Sequence, residues 1–129
     1  VRKPKKARRE EERTVFLLCV NGKLALQKRP DGGLLGGMWE LPAVSDALTA
    51  EGALEQARLW GLNPIGMEKT LHHTHVFTHI EWHMTCHVID VAREAGAFTW
   101  VTAEALDASY ALPSAFRPFL DAYALTAKQ

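Results

Sequence analysis

The sequence predicts an α+β domain with a mixed β-sheet flanked by helices. Three observations carry that expectation. Two apolar runs meet at Asn21-Gly22, a helix-period segment stops at Gly61, and strict apolar–polar alternation runs from Ile80 to Val88. A chain of 129 residues is long enough for one domain with its own core, without help from disulfides or metals.

The opening VRKPKKARREEER is a basic run followed by an acidic one. Residues 1–12 read as a solvated linker and 13–129 as the folded domain. TVFLLCV and KLALQKR flank Asn21-Gly22, a pair that tolerates positive φ and marks a β-hairpin. The glycine-rich loop PDGGLLGGMWELP follows. Leu48, Leu54, Ala57 and Trp60 then recur at helical spacing, so Thr49–Trp60 is expected to be a helix, with Gly61 as its C-terminal stop. Pro64–His73 reads as extended. AFTWV reads as a short strand, and Thr102 with Glu104 suits the first turn of a short helix. Pro113 opens a last helix whose Phe116, Phe119, Leu120 and Tyr123 form an apolar stripe for the core.

All six histidines fall between His72 and His87, which invites a metal-centre reading. From Ile80 onward, however, Ile80, Trp82, Met84, Cys86 and Val88 alternate with Glu81, His83, Thr85 and His87, the pattern of a half-buried strand. Strand residues four apart stand about 13 Å from one another, while metal–nitrogen bonds are about 2 Å long. His75, His79, His83 and His87 therefore cannot form a chelating ladder. His73 and His75 are close enough, but no Cys or Asp lies beside them to complete a shell. The sequence thus gives no expected metal ligands, and the imidazoles of the polar face are expected mostly at the surface.

The formal net charge is zero, so the domain alone is expected to hold a polyanion weakly. No apolar run approaches the roughly 20 residues of a bilayer span, and no membrane partner is expected. Cys19 and Cys86 sit inside apolar runs and read as reduced core thiols in a cytosolic setting. The first residue is Val1, which suggests a piece of a longer polypeptide.

A strand pair, a glycine-rich loop and one helix ending in Gly61-Leu62 resemble the arrangement of a Nudix domain. In active Nudix hydrolases clustered glutamates on that helix hold Mg2+ against a diphosphate. Counting back from Gly61-Leu62, the adjacent metal-binding glutamates fall on Arg58 and Leu59 and the preceding arginine on Leu54; only Glu55 survives. Glu40 and Glu51 are the other nearby acids. No catalytic residue is expected here. The stretch GLLGGMWELP, Gly33 to Pro42, closely resembles the signature of the C-terminal domain of the MutY adenine DNA glycosylases, a degenerate Nudix-like domain. Val76-Phe77-Thr78-His79 resembles that family's Phe-Ser-His loop, with Thr in place of Ser. The tail, TWV and then Tyr110-Ala111-Leu112-Pro113, is also similar, so the resemblance covers Arg13 to Tyr123.

The resemblance implies a non-catalytic recognition domain that reads 8-oxoguanine opposite the adenine to be excised. Phe77 would be the apolar shoulder, Thr78 the hydroxyl at the base edge, and His79 a polar contact at the lesion or the adjacent backbone. Lys3, Lys5, Lys6, Arg8 and Arg9 are candidate contacts to the DNA backbone. The implied partners are duplex DNA holding an 8-oxoguanine–adenine pair and an N-terminal catalytic domain of the same polypeptide, with this domain a monomer. The acid/base carboxylates and the 4Fe-4S cluster would belong to that other domain; no cofactor is expected in this one. The implied setting is cytoplasmic, associated with a bacterial nucleoid. Two rival functions are a free-standing Nudix pyrophosphatase acting on oxidised nucleotides and a protein-interaction module that binds through a sheet face.

Overall fold

The first strand, β1 (Arg9–Val20), organises the domain. Its apolar run does not alternate because both of its faces are covered. Val15, Leu17 and Cys19 enter one buried cluster, and Phe16, Leu18 and Val20 enter a second on the opposite face. Burial of side chains of this size stabilises the fold by about 1.5–3 kcal/mol each. The computed structural model describes residues 8–29, 32, 35–110 and 112–127, except for the side chains of 124–127.

Asn21 and Gly22 turn the chain with φ of 52° and 74°. The turn sets β2 (Lys23–Lys28) antiparallel to β1 in the register Val20↔Lys23. Two short strands follow, β3 (Trp39–Glu40) on β2 and β4 (Ala43–Val44) on β1. After the first helix come β5 (Pro64–Val76), β6 (Ile80–Val91) and β7 (Thr99–Thr102), the last pairing with β2. The seven-stranded sheet has the main order β3-β2-β1-β6-β5. It is mixed: β1 and β6 run parallel from Arg9↔Ile80 to Cys19↔Asp90, and every other described pairing is antiparallel.

Helix α1 (Ala50–Leu59) covers one face. Thr49 caps it by accepting the Gly52 N–H at 3.1 Å, and Gly61 ends it at a φ of 80°. The helix expected over Thr49–Trp60 is therefore present, with both end residues serving as caps. Ala53 and Ala57 are fully buried, and Trp60 meets Phe16 edge-on at 4.8 Å. The other face carries α2 (Ala103–Ser109), capped by Thr102, and α3 (Arg117–Ala127). The last helix expected from Pro113 begins as a 3-10 turn, Ser114–Phe116, before α3. Its stripe is as expected, with Phe116, Phe119 and Leu120 buried and Tyr123 packed against them. The helices thus lie on both faces of the sheet. Among the described residues no helix is long and apolar enough to cross a membrane.

Two local readings differ from the sequence. Arg9–Glu12 of the charged opening belong to β1, because the parallel ladder with β6 begins at Arg9 and runs straight through them. Lys3, Lys5 and Lys6 lie outside the described residues, as do Gly33, Leu34 and Ala111 of the motifs. His87, expected on a polar surface, is only 2% exposed. It sits where α1 approaches the sheet. Its Nε2–H donates to the Leu48 carbonyl at 3.1 Å, so Nδ1 accepts from the Thr70 hydroxyl at 2.9 Å.

Cys19 and Cys86 are free and buried. Burial pushes the Cys19 thiol up to about 12 and raises Cys86 as well. Because the thiolate is the reactive form, neither cysteine should react with iodoacetamide at pH 8 while the chain is folded. Both should label in denaturant, as read by mass. Rapid native labelling would show that the core opens at β1.

A candidate nucleic-acid interface at the β5–β6 turn

The Phe77 N–H donates to the Ile80 carbonyl at 2.7 Å, so Thr78 and His79 form the two-residue tip joining β5 to β6. Neither has positive φ, which explains why a β-branched threonine fits the turn without a glycine. Both side chains are exposed. The polar groups implied for base contact therefore face solvent at one end of the sheet.

Phe77 roots the tip. Its ring packs edge-on against Trp82 at 4.8 Å and against His75 at 4.7 Å. Trp82 is 1% exposed and donates its indole N–H to Glu11 at 3.1 Å. The Arg13 guanidinium lies 4.5 Å from the Trp82 ring centroid and Arg29 lies 5.4 Å from it, within cation–π range. Arg13 Nε is buried with no hydrogen-bond partner among the described residues. Burial first, then the charge of Arg29, lowers the Arg13 pKa. Burial, followed by the neighbouring His73, also lowers that of His75.

The start of β1 reaches the same tip. The Arg9 N–H donates to the His79 carbonyl at 3.1 Å, and the Arg9 side chain pairs with Glu11 at 3.0 Å. Arg8 is exposed just before it. Phe77, Thr78, His79, Arg8 and Arg9 are thus gathered at one end of the sheet.

The Trp-Glu-Leu-Pro motif is used inward. Trp39 meets Tyr110 edge-on at 5.0 Å and Leu41 is fully buried. Glu40 accepts from Arg29 at 2.8 Å and from Gln27 at 2.9 Å. On α1, Glu51, Leu54, Glu55 and Arg58 line a shallow groove, and Arg58 pairs with Glu55 at 3.0 Å. The groove therefore offers two separated carboxylates, one already neutralised by a cation.

Sequence reading missed the Arg13–Trp82–Phe77 stack, as well as a cluster of Glu10, Glu81 and His83 beside the tip. Each joins β1 to β6 across roughly seventy positions of sequence. Glu10 also lay in a segment read as linker.

No curated protein matches this sequence. Solved structures do resemble the fold. The C-terminal domain of mouse MUTYH, determined in complex with human PCNA, superposes with a TM-score of 0.68 at 23% identity, covering 94% of this chain and 92% of that one. A MutT protein from Methanosarcina mazei Go1 gives 0.65 at 16% identity, covering 95% and 98%. The E. coli ORF135 protein gives 0.63 at 23% identity, covering 95% and 94%. Identities this low speak for the fold alone. The NUDIX domain family matches residues 14–122, nearly the whole described chain, and the protein belongs to that family.

Proposed function

We propose that this domain reads 8-oxoguanine opposite adenine in duplex DNA, as the recognition part of an adenine DNA glycosylase. The observation that carries the reading is the exposed Thr78-His79 tip held on a rigid base by the Phe77–Trp82 contact and the Arg9–His79 hydrogen bond. Guanine offers an acceptor at N7, whereas 8-oxoguanine carries a proton there. The Thr78 hydroxyl can accept a hydrogen bond from that N7–H, while His79 meets the lesion or the neighbouring backbone. Phe77 packs edge-on with Trp82 and serves as the apolar shoulder.

Arg8 and Arg9 flank the tip as backbone contacts, and Lys3, Lys5 and Lys6 extend the basic run toward a linker. With no net charge, this domain supplies discrimination, and most phosphate affinity comes from the catalytic domain of the same polypeptide. That partner would hold the acid/base carboxylates, the pocket for the extruded adenine and the 4Fe-4S cluster.

The test joins the chain to a MutY-type catalytic domain and compares adenine removal opposite 8-oxoguanine and opposite guanine. Thr78→Val keeps the shape and removes the hydroxyl, so the preference should fall by about 1–3 kcal/mol, the worth of a base-edge contact. An unchanged preference would instead favour the protein-interaction module. For the free-standing pyrophosphatase, the discriminating result is sustained Mg2+-dependent hydrolysis of oxidised nucleotides. The α1 groove argues against it, since Arg58 and Leu59 stand where the adjacent glutamates are needed.

A further inference from the structure

We infer that His83, Glu10 and Glu81 form a binding site for one divalent transition-metal ion, with Zn2+ the closest chemical match. His83 Nε2 lies 2.8 Å from Glu10 Oε1 and 2.9 Å from Glu81 Oε2, and one donor atom from each residue falls within 4.8 Å of the others. Zinc bonds to such donors are about 2.0–2.2 Å long, which places neighbouring tetrahedral ligands roughly 3.3 Å apart. Admitting the ion needs the two His83–carboxylate contacts to open by about 0.5 Å, a movement open to the exposed Glu10 side chain.

Two features beyond proximity favour a cation. Glu10 and Glu81 are register partners on the parallel strands β1 and β6, and like charges side by side across strands destabilise a sheet. Among the described residues their ion pairs run to His83 alone, whose charge depends on a proton. In addition, His83 Nδ1 lies 3.4 Å from the Thr74 hydroxyl on β5. When an ion replaces the Nε2 proton, Nδ1–H can stay directed at that oxygen while the Nε2 lone pair faces the cation. Metal-binding imidazoles are oriented in this way by an outer partner.

The donor set selects the ion. One imidazole and two carboxylates suit Zn2+ and its transition-metal neighbours, whereas Mg2+ takes oxygen ligands and keeps its waters. The Glu10 side chain is 68% exposed, so the site is open to solvent and water can complete the shell. This position is distinct from the α1 groove. It is also two residues from the β5–β6 tip, so a bound ion would clamp the start of β1 beside His79. The inference stands whether or not the tip reads DNA.

Calorimetric titration of Zn2+ into the folded chain tests it. One saturable site per chain is expected, not displaced by excess Mg2+. Glu10→Gln and Glu81→Gln should each weaken it by about tenfold or more, and His83→Gln should abolish it. A His73→Gln/His75→Gln variant should bind as the parent does. Glu10 is exposed, so its variant tests the ligand without threatening the fold. Failure to saturate would overturn the site and leave a proton on His83 as the bridge. Binding that survives Glu10→Gln but is lost with His73 and His75 would overturn it too.

Discussion

Replacing Trp82 with alanine is expected to destabilise the domain by about 3–5 kcal/mol, the usual cost of removing a large aromatic side chain from a core. Trp82 is among the largest fully buried side chains. Phe77 lies on one side of it, Phe116 in the 3-10 turn before α3 has its ring centroid 6.3 Å away, and Arg13 is stacked on its ring. Alanine would leave a cavity that β-sheet backbone cannot close, and would strand the Arg13 guanidinium beside it. At about 4 °C per kcal/mol for a domain of this size, the melting temperature should fall by roughly 12–20 °C. Trp82→Phe should cost much less, because it keeps most of the packing and loses the indole bond to Glu11. Urea unfolding followed by circular dichroism measures both. A loss below about 1 kcal/mol for the alanine variant would mean that the stack does not support the fold. The phenylalanine variant has a second use: folded, but with an altered seat for Phe77, it asks whether the tip must be rigid to discriminate.

Local chemistry made much of the fold legible. Asn21-Gly22 announced the hairpin, Thr49 and Gly61 bracketed α1, and alternation from Ile80 identified β6 and the residues it buries. The exposed tip at Thr78-His79 has no such local mark, since neither residue needs an unusual backbone conformation; a resemblance between short motifs drew attention to it. Long-range pairing stayed hidden. Nothing in REEE shows that it will lie in a strand, or that Glu10 will face Glu81 and Glu11 will reach the Trp82 indole. His87 illustrates the same limit. It keeps the alternation of its strand, yet α1 crosses its end of the polar face, so the ring is buried between Thr70 and Leu48. A one-dimensional pattern gives the face a side chain occupies, but not what covers that face.

Glu40 shows how a motif residue can be spent on structure. Its side chain is 5% exposed and holds Arg29, whose side chain is 14% exposed, while Gln27 donates to its other oxygen. Removing one partner of a buried pair leaves an uncompensated charge and costs about 3–5 kcal/mol. Because Arg29 has a further contact, Glu40→Ala should fall near the lower end, about 3 kcal/mol. Arg29 already lowers the Arg13 pKa, and Glu40 opposes that effect. Without Glu40 the two guanidinium groups beside the Trp82 ring repel with less compensation. The double variant Arg29→Met/Glu40→Leu should be more stable than Glu40→Ala, since apolar groups of similar volume can replace a buried pair at little cost. Equal instability of the double and single variants in urea would place the effect in β2–β3 backbone pairing instead of in the charges. The predicted ordering would identify Glu40 as the counter-ion that lets two arginines flank the aromatic seat of the tip.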